Sequence, residues 1–179
     1  SAERVFSPWT DLEAEMRSKG IPLSSLESAR PLNNFDIVGF SLQYELSYTT
    51  VLNLLHLGGI PLRSEDRYHR HFPLIIAGGP CTVNPLPMAP FIDAFLIGDA
   101  EEAIKEILDT FHKWKTEGDG IKESLLVMLS GIEGVYVPAH PGKERIRRRL
   151  ISSLDNAPYP DAPIVPYASI VHDRVNIEV

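Results

Sequence analysis

The sequence predicts an α/β protein built on a parallel sheet flanked by helices. Three observations carry that reading. Short apolar runs recur as DIVGFS (36–41), LIIA (74–77) and AFLI (94–97), each bounded by Gly, Pro or polar residues. Continuous rather than alternating apolar runs suit strands buried on both faces, hence a parallel sheet. Segments at helical spacing stand between and after these runs. A glycine pair, Gly78–Gly79, directly follows the second run. Turns at the carboxyl ends of parallel strands are where open α/β sheets hold ligands. The stretch from Pro73 to Ile104 therefore organises the chain.

Taken in order, RVFS (4–7) is a short strand candidate ended by Pro8 and Trp9. Thr10 with Glu13 forms a T-x-x-E capping box, in which each side chain satisfies the other's free backbone N–H. Leu12 and Met16 share the inner face of the helix it opens, and Gly20 stops it. Residues 23–27 read as extended and 31–34 as a turn. The strand 36–41 follows, with Gly39 inside it marking a close approach. Ser47 caps the next helix, whose broad apolar face holds Val51, Leu52, Leu54 and Leu55, and Gly58–Gly59 end it. Residues 60–72 are a polar excursion with one helical turn near SEDRYHR. After the strands at 74–77 and 94–97, Asp99 and Glu102 form a second capping box. Ile104, Ile107, Leu108, Phe111 and Trp114 then recur at helical spacing, with Lys113 and Lys115 in the last turn. Gly118 and Gly120 break the chain. A helix over 121–129 and a short strand over 134–137 follow. KERIRRRL (143–150), read as a strand, sets Arg145, Arg147 and Arg149 on one face. From residue 155 the character changes: NAPYPDAPIVP carries four prolines and reads as a stiff linker over 155–172. RVNIEV (174–179) alternates like a half-buried strand, the opening piece of a further domain over 173–179.

Composition limits the function classes. The 179 residues suit one domain with a tail, and 44% apolar residues supply a core. A net charge of −7 argues against a general nucleic-acid binder. One cysteine, Cys81, excludes an internal disulfide and fits a reducing, cytoplasmic compartment. No run is long and apolar enough for a membrane span, and no signal peptide opens the chain. The first residue is Ser; a chain cut from a longer one is preferred over processing.

FDIVGFSLQYE, IIAGGPCTVNP and IDAFLIGDAEE, in that order, resemble the cobalamin-binding-type domain that precedes the barrel of many bacterial radical S-adenosylmethionine (radical SAM) enzymes. AERVFSPW, GFSLQYELSYT and RVNIEV resemble an uncharacterised subgroup of those proteins. The resemblance covers nearly the whole chain and implies a flavodoxin-like sheet lacking its first strand, which the family places before residue 1. It divides the chain into the domain 1–154, the linker 155–172 and the first barrel strand 173–179. It further implies that a C-x-x-x-C-x-x-C loop, holding a [4Fe–4S] cluster and S-adenosylmethionine, lies in the parent beyond Val179. This chain would then be no enzyme by itself. Its partner would be the barrel of the same polypeptide, and a homodimer through the sheet gap is a further expectation. The gap is expected to close by direct pairing of RVFS with DIVGFS, by rearrangement, or by a second copy.

The same resemblance implies cofactor-contacting positions at Ser41, Gln43, Gly78 and Gly79. Cobalamin is the ligand it suggests for the parent. Glycine lets a bulky ligand approach the backbone, and a serine hydroxyl can bond a ring nitrogen or ribose. The chain departs from the pattern at one point: Ser41 is followed by Leu42 and Gln43 where S-x-L is usual. The D-x-H-x-x-G loop of some relatives is absent, but the resemblance places it before residue 1, and many radical members lack it. Plain alternatives stay open: Gly78–Gly79 as a tight turn, Ser41 as a strand end, Gln43–Glu45 as a plain loop. Cys81 reads as core packing, and Asn84 as a cap or a ligand contact. Asp99, Glu101 and Glu102 are explained by helix capping rather than metal, and His69 and His71 by solvated surface. The arginines of KERIRRRL fit an edge-strand guard, an acidic partner, RNA or the barrel. No catalytic residue and no metal ligand is assigned. A stand-alone small-molecule-binding domain and a purely structural one are the competing readings.

Overall fold

In the computed structural model, which describes residues 2–68, 72–141, 146–153, 155 and 157, the apolar runs become the strands of one sheet. Strands β1 (Ile37–Ser41), β2 (Leu74–Gly78) and β3 (Ala94–Leu96) are parallel, and β4 (Val135–Tyr136) adds antiparallel to β3. The order is β1-β2-β3-β4. Helices α1 (Thr10–Lys19), α2 (Tyr48–Leu57), α3 (Ala103–Glu117) and α4 (Lys122–Ser130) flank it. This is the expected open α/β sheet of the flavodoxin-like kind.

Strand periodicity divides the core into two layers. Val38, Ile75, Ala77 and Phe95 pack with Met16, Val51 and Leu55 of α1 and α2. Leu74, Ala94, Leu96 and Val135 pack with Ala103, Ile107, Leu125 and Leu129 of α3 and α4. Ile75 and Phe95 are fully buried; burying each such side chain is worth roughly 1.5–3 kcal/mol.

A charged cluster anchors the amino end of β2. Asp93 accepts hydrogen bonds from Arg67 Nη2 (3.1 Å), Lys122 Nζ (2.9 Å) and the Ile75 backbone N–H (2.7 Å). Arg67 also donates to the carbonyls of Pro61, Leu62 and Phe91. All three charged side chains are buried. The cluster ties the 3-10 turn Glu65–Arg67, β2, the approach to β3 and the start of α4 together. Nothing in the sequence pattern announces it, because the three residues are distant in the chain.

Several local expectations are corrected. Residues 4–7 form no strand: the Arg4 carbonyl accepts from Leu26 N–H, and Arg4 pairs with Glu27. Direct pairing with DIVGFS therefore does not close the gap, and among the described strands β1 is a sheet edge. The first capping box is not made, since Trp9 is the N-cap and Glu13 binds Arg17 and Asn53 instead. Met16 is buried as expected, but Leu12 is exposed. Asp99 caps no helix either; Glu102 is the N-cap of α3, and Asp99 accepts from the Ile151 N–H at 2.8 Å. Of KERIRRRL, residues 143–145 lie outside the described residues, and Arg149 makes a single parallel bridge to Gly98. Arg147 and Arg149 do not act alike: Arg147 is exposed, while Arg149 holds Glu102 and Glu106. The strand expected at 173–179 lies outside the described residues, as does the linker apart from 155 and 157. No described helix is long and apolar enough to cross a membrane.

Candidate functional site

The carboxyl ends of β1 and β2 bring the sequence-derived residues together. Ser41 and Gly78 are register partners in the parallel pair. Gln43 Nε2 donates to Ser41 Oγ at 2.9 Å, which leaves the serine's own proton for another acceptor. Ser41 and Gln43 are both exposed.

The two glycines separate in role. Gly79 has φ +98, and a Cβ there would lie 2.9 Å from the Leu42 carbonyl oxygen and 3.0 Å from its nitrogen. Its glycine is demanded by the turn. A Cβ on Gly78 would meet nothing within 4 Å. The turn explains Gly79, and an open approach remains at Gly78. Gly39 lies on the same face, where a Cβ would meet only the Ile76 side chain at 3.6 Å.

That bare strip floors a groove of about 280 Å³ walled by Ile76, Ile104, Ile107 and Leu129. Its polar features are the Ser41 hydroxyl and the adjoining Gln43 amide. The edge of β1 adds more. The bonds Leu74 N–H to Asp36 O and Leu42 N–H to Gly78 O turn the backbone of alternate residues toward β2. The N–H and C=O groups of Ile37, Gly39 and Ser41 thus point away from the sheet, and no described strand pairs with them. A second groove, about 250 Å³, follows the same edge on the α2 side between Val5, Leu32, Phe40 and Leu54. An apolar floor with one hydroxyl and one amide at its rim suits a flat, uncharged ring.

The loop after β2 is tied down by hydrogen bonds. The Cys81 N–H donates to the Leu42 carbonyl (3.0 Å), joining the loops of β1 and β2. Thr82 Oγ1 lies 2.8 Å from the Gly79 carbonyl and 2.9 Å from that of Leu96, one proton serving two acceptors. Thr82 is the residue that sequence reasoning missed; its flanking prolines marked a turn but not its inward side chain. Cys81 is buried against Tyr48, and burial, with the neighbouring Cys81 and Glu45, raises the phenol's pKa. Asn84 is exposed and closes the 3-10 turn Pro80–Val83. Among the described residues no three His, Cys, Asp or Glu side chains are grouped to hold a metal ion. Glu101 is exposed, and Asp99 and Glu102 are engaged with the segment 148–151. His69 and His71 lie outside the described residues.

The family model described as radical SAM proteins, N-terminal, matches residues 1–138. The chain belongs to this family. The candidate positions Ser41, Gln43, Gly78 and Gly79 lie inside the match. The domain is also 24% identical over 148 residues to an uncharacterized protein of Methanocaldococcus jannaschii, covering 82% of this chain and 28% of that relative. The chain thus spans little more than a quarter of the relative's length. No solved structure matches it.

Proposed function

We propose that this chain is the accessory domain of a radical SAM enzyme, packing on the catalytic domain of the same polypeptide and shaping the mouth of its active site. The observation that supports this is the family match over residues 1–138, laid on an open α/β sheet whose carboxyl end carries an apolar groove. In this reading the [4Fe–4S] cluster and S-adenosylmethionine belong to the parent beyond Val179, and the 179-residue chain performs no radical chemistry. The four candidate residues hold a small ligand rather than react with it.

Cobalamin is the ligand this reading favours for the parent. The fit rests on the open face of Gly78, the smooth strip it shares with Gly39, and the Ser41 hydroxyl with Gln43 beside it. These would receive a flat ring system, with Ser41 donating to a ring nitrogen or a ribose oxygen. When bound, cobalamin supplies methyl-transfer or electron-transfer chemistry. The chain's own residues position and desolvate it. The second reading, a structural or stand-alone small-molecule domain, rests on the same groove without the catalytic partner.

The parent sequence past Val179 is the first test: a C-x-x-x-C-x-x-C run supports the accessory reading, and its absence sinks it. Titrating the full-length protein with hydroxocobalamin is the second. The expected result is a visible absorbance change that is lost in Gly78→Val. No change in the wild type removes cobalamin and leaves a structural role.

A further inference from the structure

A cavity of about 590 Å³ opens at the other end of the sheet, where β1 and β2 begin and α3 ends. Four aromatic side chains line it: Phe35 before β1, Phe72 before β2, and Phe111 and Trp114 on the last turns of α3. All four are half-buried. Its volume lies in the range of small-molecule pockets.

The aromatic wall is held in place by the turn between α3 and α4. Trp114 Nε1 donates to the Ile121 carbonyl at 3.0 Å, and the Phe111 and Trp114 ring centroids lie 5.5 Å apart. A Cβ on Gly118 would strike the Trp114 carbonyl and lie 2.9 Å from its ring. Asp119 Oδ1 accepts from the Ile121 N–H (2.8 Å) and from Ser124 Oγ (2.7 Å). Rings fixed in this way meet a guest without first being ordered.

Four charged residues line the cavity, and two of them are spent elsewhere. Lys122 turns its ammonium to Asp93, and Asp119 holds the turn. Asp36 and Lys115 remain. They pair across the cavity, Lys115 Nζ to Asp36 Oδ1 at 2.6 Å, and both are more than half exposed. An exposed pair of this kind is weak and readily opened or extended. It engages one carboxylate oxygen and one ammonium donor. Asp36 Oδ2 and two donors of Lys115 keep their capacity. Asn33 and Asn34, also on the wall, are neutral. The cavity therefore joins one aromatic interior to one matched pair of opposite charges.

We propose that this cavity binds an α-amino acid with an aromatic side chain. The ring enters among Phe35, Phe111 and Trp114, Asp36 holds the α-ammonium, and Lys115 holds the α-carboxylate. The charge pair selects this class: a neutral ring uses the walls alone, and a simple amine or acid satisfies one partner while leaving the other. The zwitterion stays at the half-exposed mouth, so neither charge is fully desolvated. This site is separate from the Gly78 groove and does not depend on the accessory-domain reading.

Calorimetric titration of the full-length protein with L-phenylalanine tests it. Phenethylamine and 3-phenylpropionate, which each lack one charge, serve as comparison probes. The expected result is saturable binding of L-phenylalanine with a Kd below about 1 mM, and binding weaker by about tenfold or more for both comparison probes. Asp36→Asn and Lys115→Met should each weaken L-phenylalanine by about tenfold or more at an unchanged melting temperature. Lys115→Gln serves if either variant melts early. A wild type without saturable binding overturns the proposal. Binding that the variants leave unchanged places the amino acid elsewhere in the protein and overturns it too. Comparison probes that bind as tightly as L-phenylalanine reduce the cavity to a pocket for rings, which also overturns it. None of these outcomes touches the accessory-domain reading.

Discussion

Gly78 and Gly79 are adjacent in the chain and do different work. At Gly79 the backbone is left-handed and the Leu42 peptide occupies the space of a side chain. Gly79→Ala is expected to destabilise the domain by about 1–3 kcal/mol, the usual cost of such strain. Gly78→Ala is expected to change stability by no more than about 1 kcal/mol, since its Cβ enters open space. Thermal melts of both variants check the pair; equal losses would show that both glycines serve the turn alone. The same reasoning applies at Gly98, where a Cβ collides with the Arg149 backbone. Gly98→Ala is expected to release the segment 148–151, read as more than tenfold faster amide exchange at Arg149 and Ile151.

Among the elements, β2 depends on the cluster of Arg67, Asp93 and Lys122. Removing one member of a buried ionic group leaves uncompensated charge, which costs about 3–5 kcal/mol. Asp93→Ala leaves two buried cations and the Ile75 N–H without their acceptor, so its loss should fall in that range by denaturant unfolding. Lys122→Met should cost less, because Asp93 keeps Arg67. The pH dependence has a definite sign. Burial, aided by the Arg67 charge, lowers the Lys122 pKa from its ordinary 10.5, against the pull of Asp93. Between the folded and unfolded values the unfolded chain binds more protons, so the Lys122 contribution to stability rises with pH toward 10.5. Unfolding midpoints of wild type and Lys122→Met, followed from neutral to alkaline pH, should show that rise in the wild type only.

At the scale of the whole sheet, the edge of β1, which no described strand covers, is the dominant feature. An edge strand with grooves on both sides is a template for another strand. The 179-residue chain is expected to self-associate with rising concentration in sedimentation equilibrium. Gly39→Lys should make it monomeric without lowering its melting temperature, since the added Cβ makes only ordinary contact with Ile76. A wild-type chain that stays monomeric throughout would show that copies do not pair by this edge.

What the sequence determined by itself is local. The apolar runs at 36–41, 74–77 and 94–97 specified three parallel strands; β2 and β3 are largely buried as such runs require, while β1, at the edge, buries only Val38. Helical spacing and the stops at Gly20 and Gly58–Gly59 placed α1 and α2, and Ser41, Gln43 and the glycine pair Gly78–Gly79 marked the candidate site. The capping boxes failed for a tertiary reason. Glu13 found Arg17 and Asn53, and Asp99 found the backbone of a segment some fifty residues on. Only the fold could decide the fate of RVFS, the burial of Arg67 with Asp93 and Lys122, and the inward turn of Thr82. Only the fold could separate Gly79 from Gly78. Each depends on which distant atoms arrive beside a side chain, and periodicity along the chain carries no record of that.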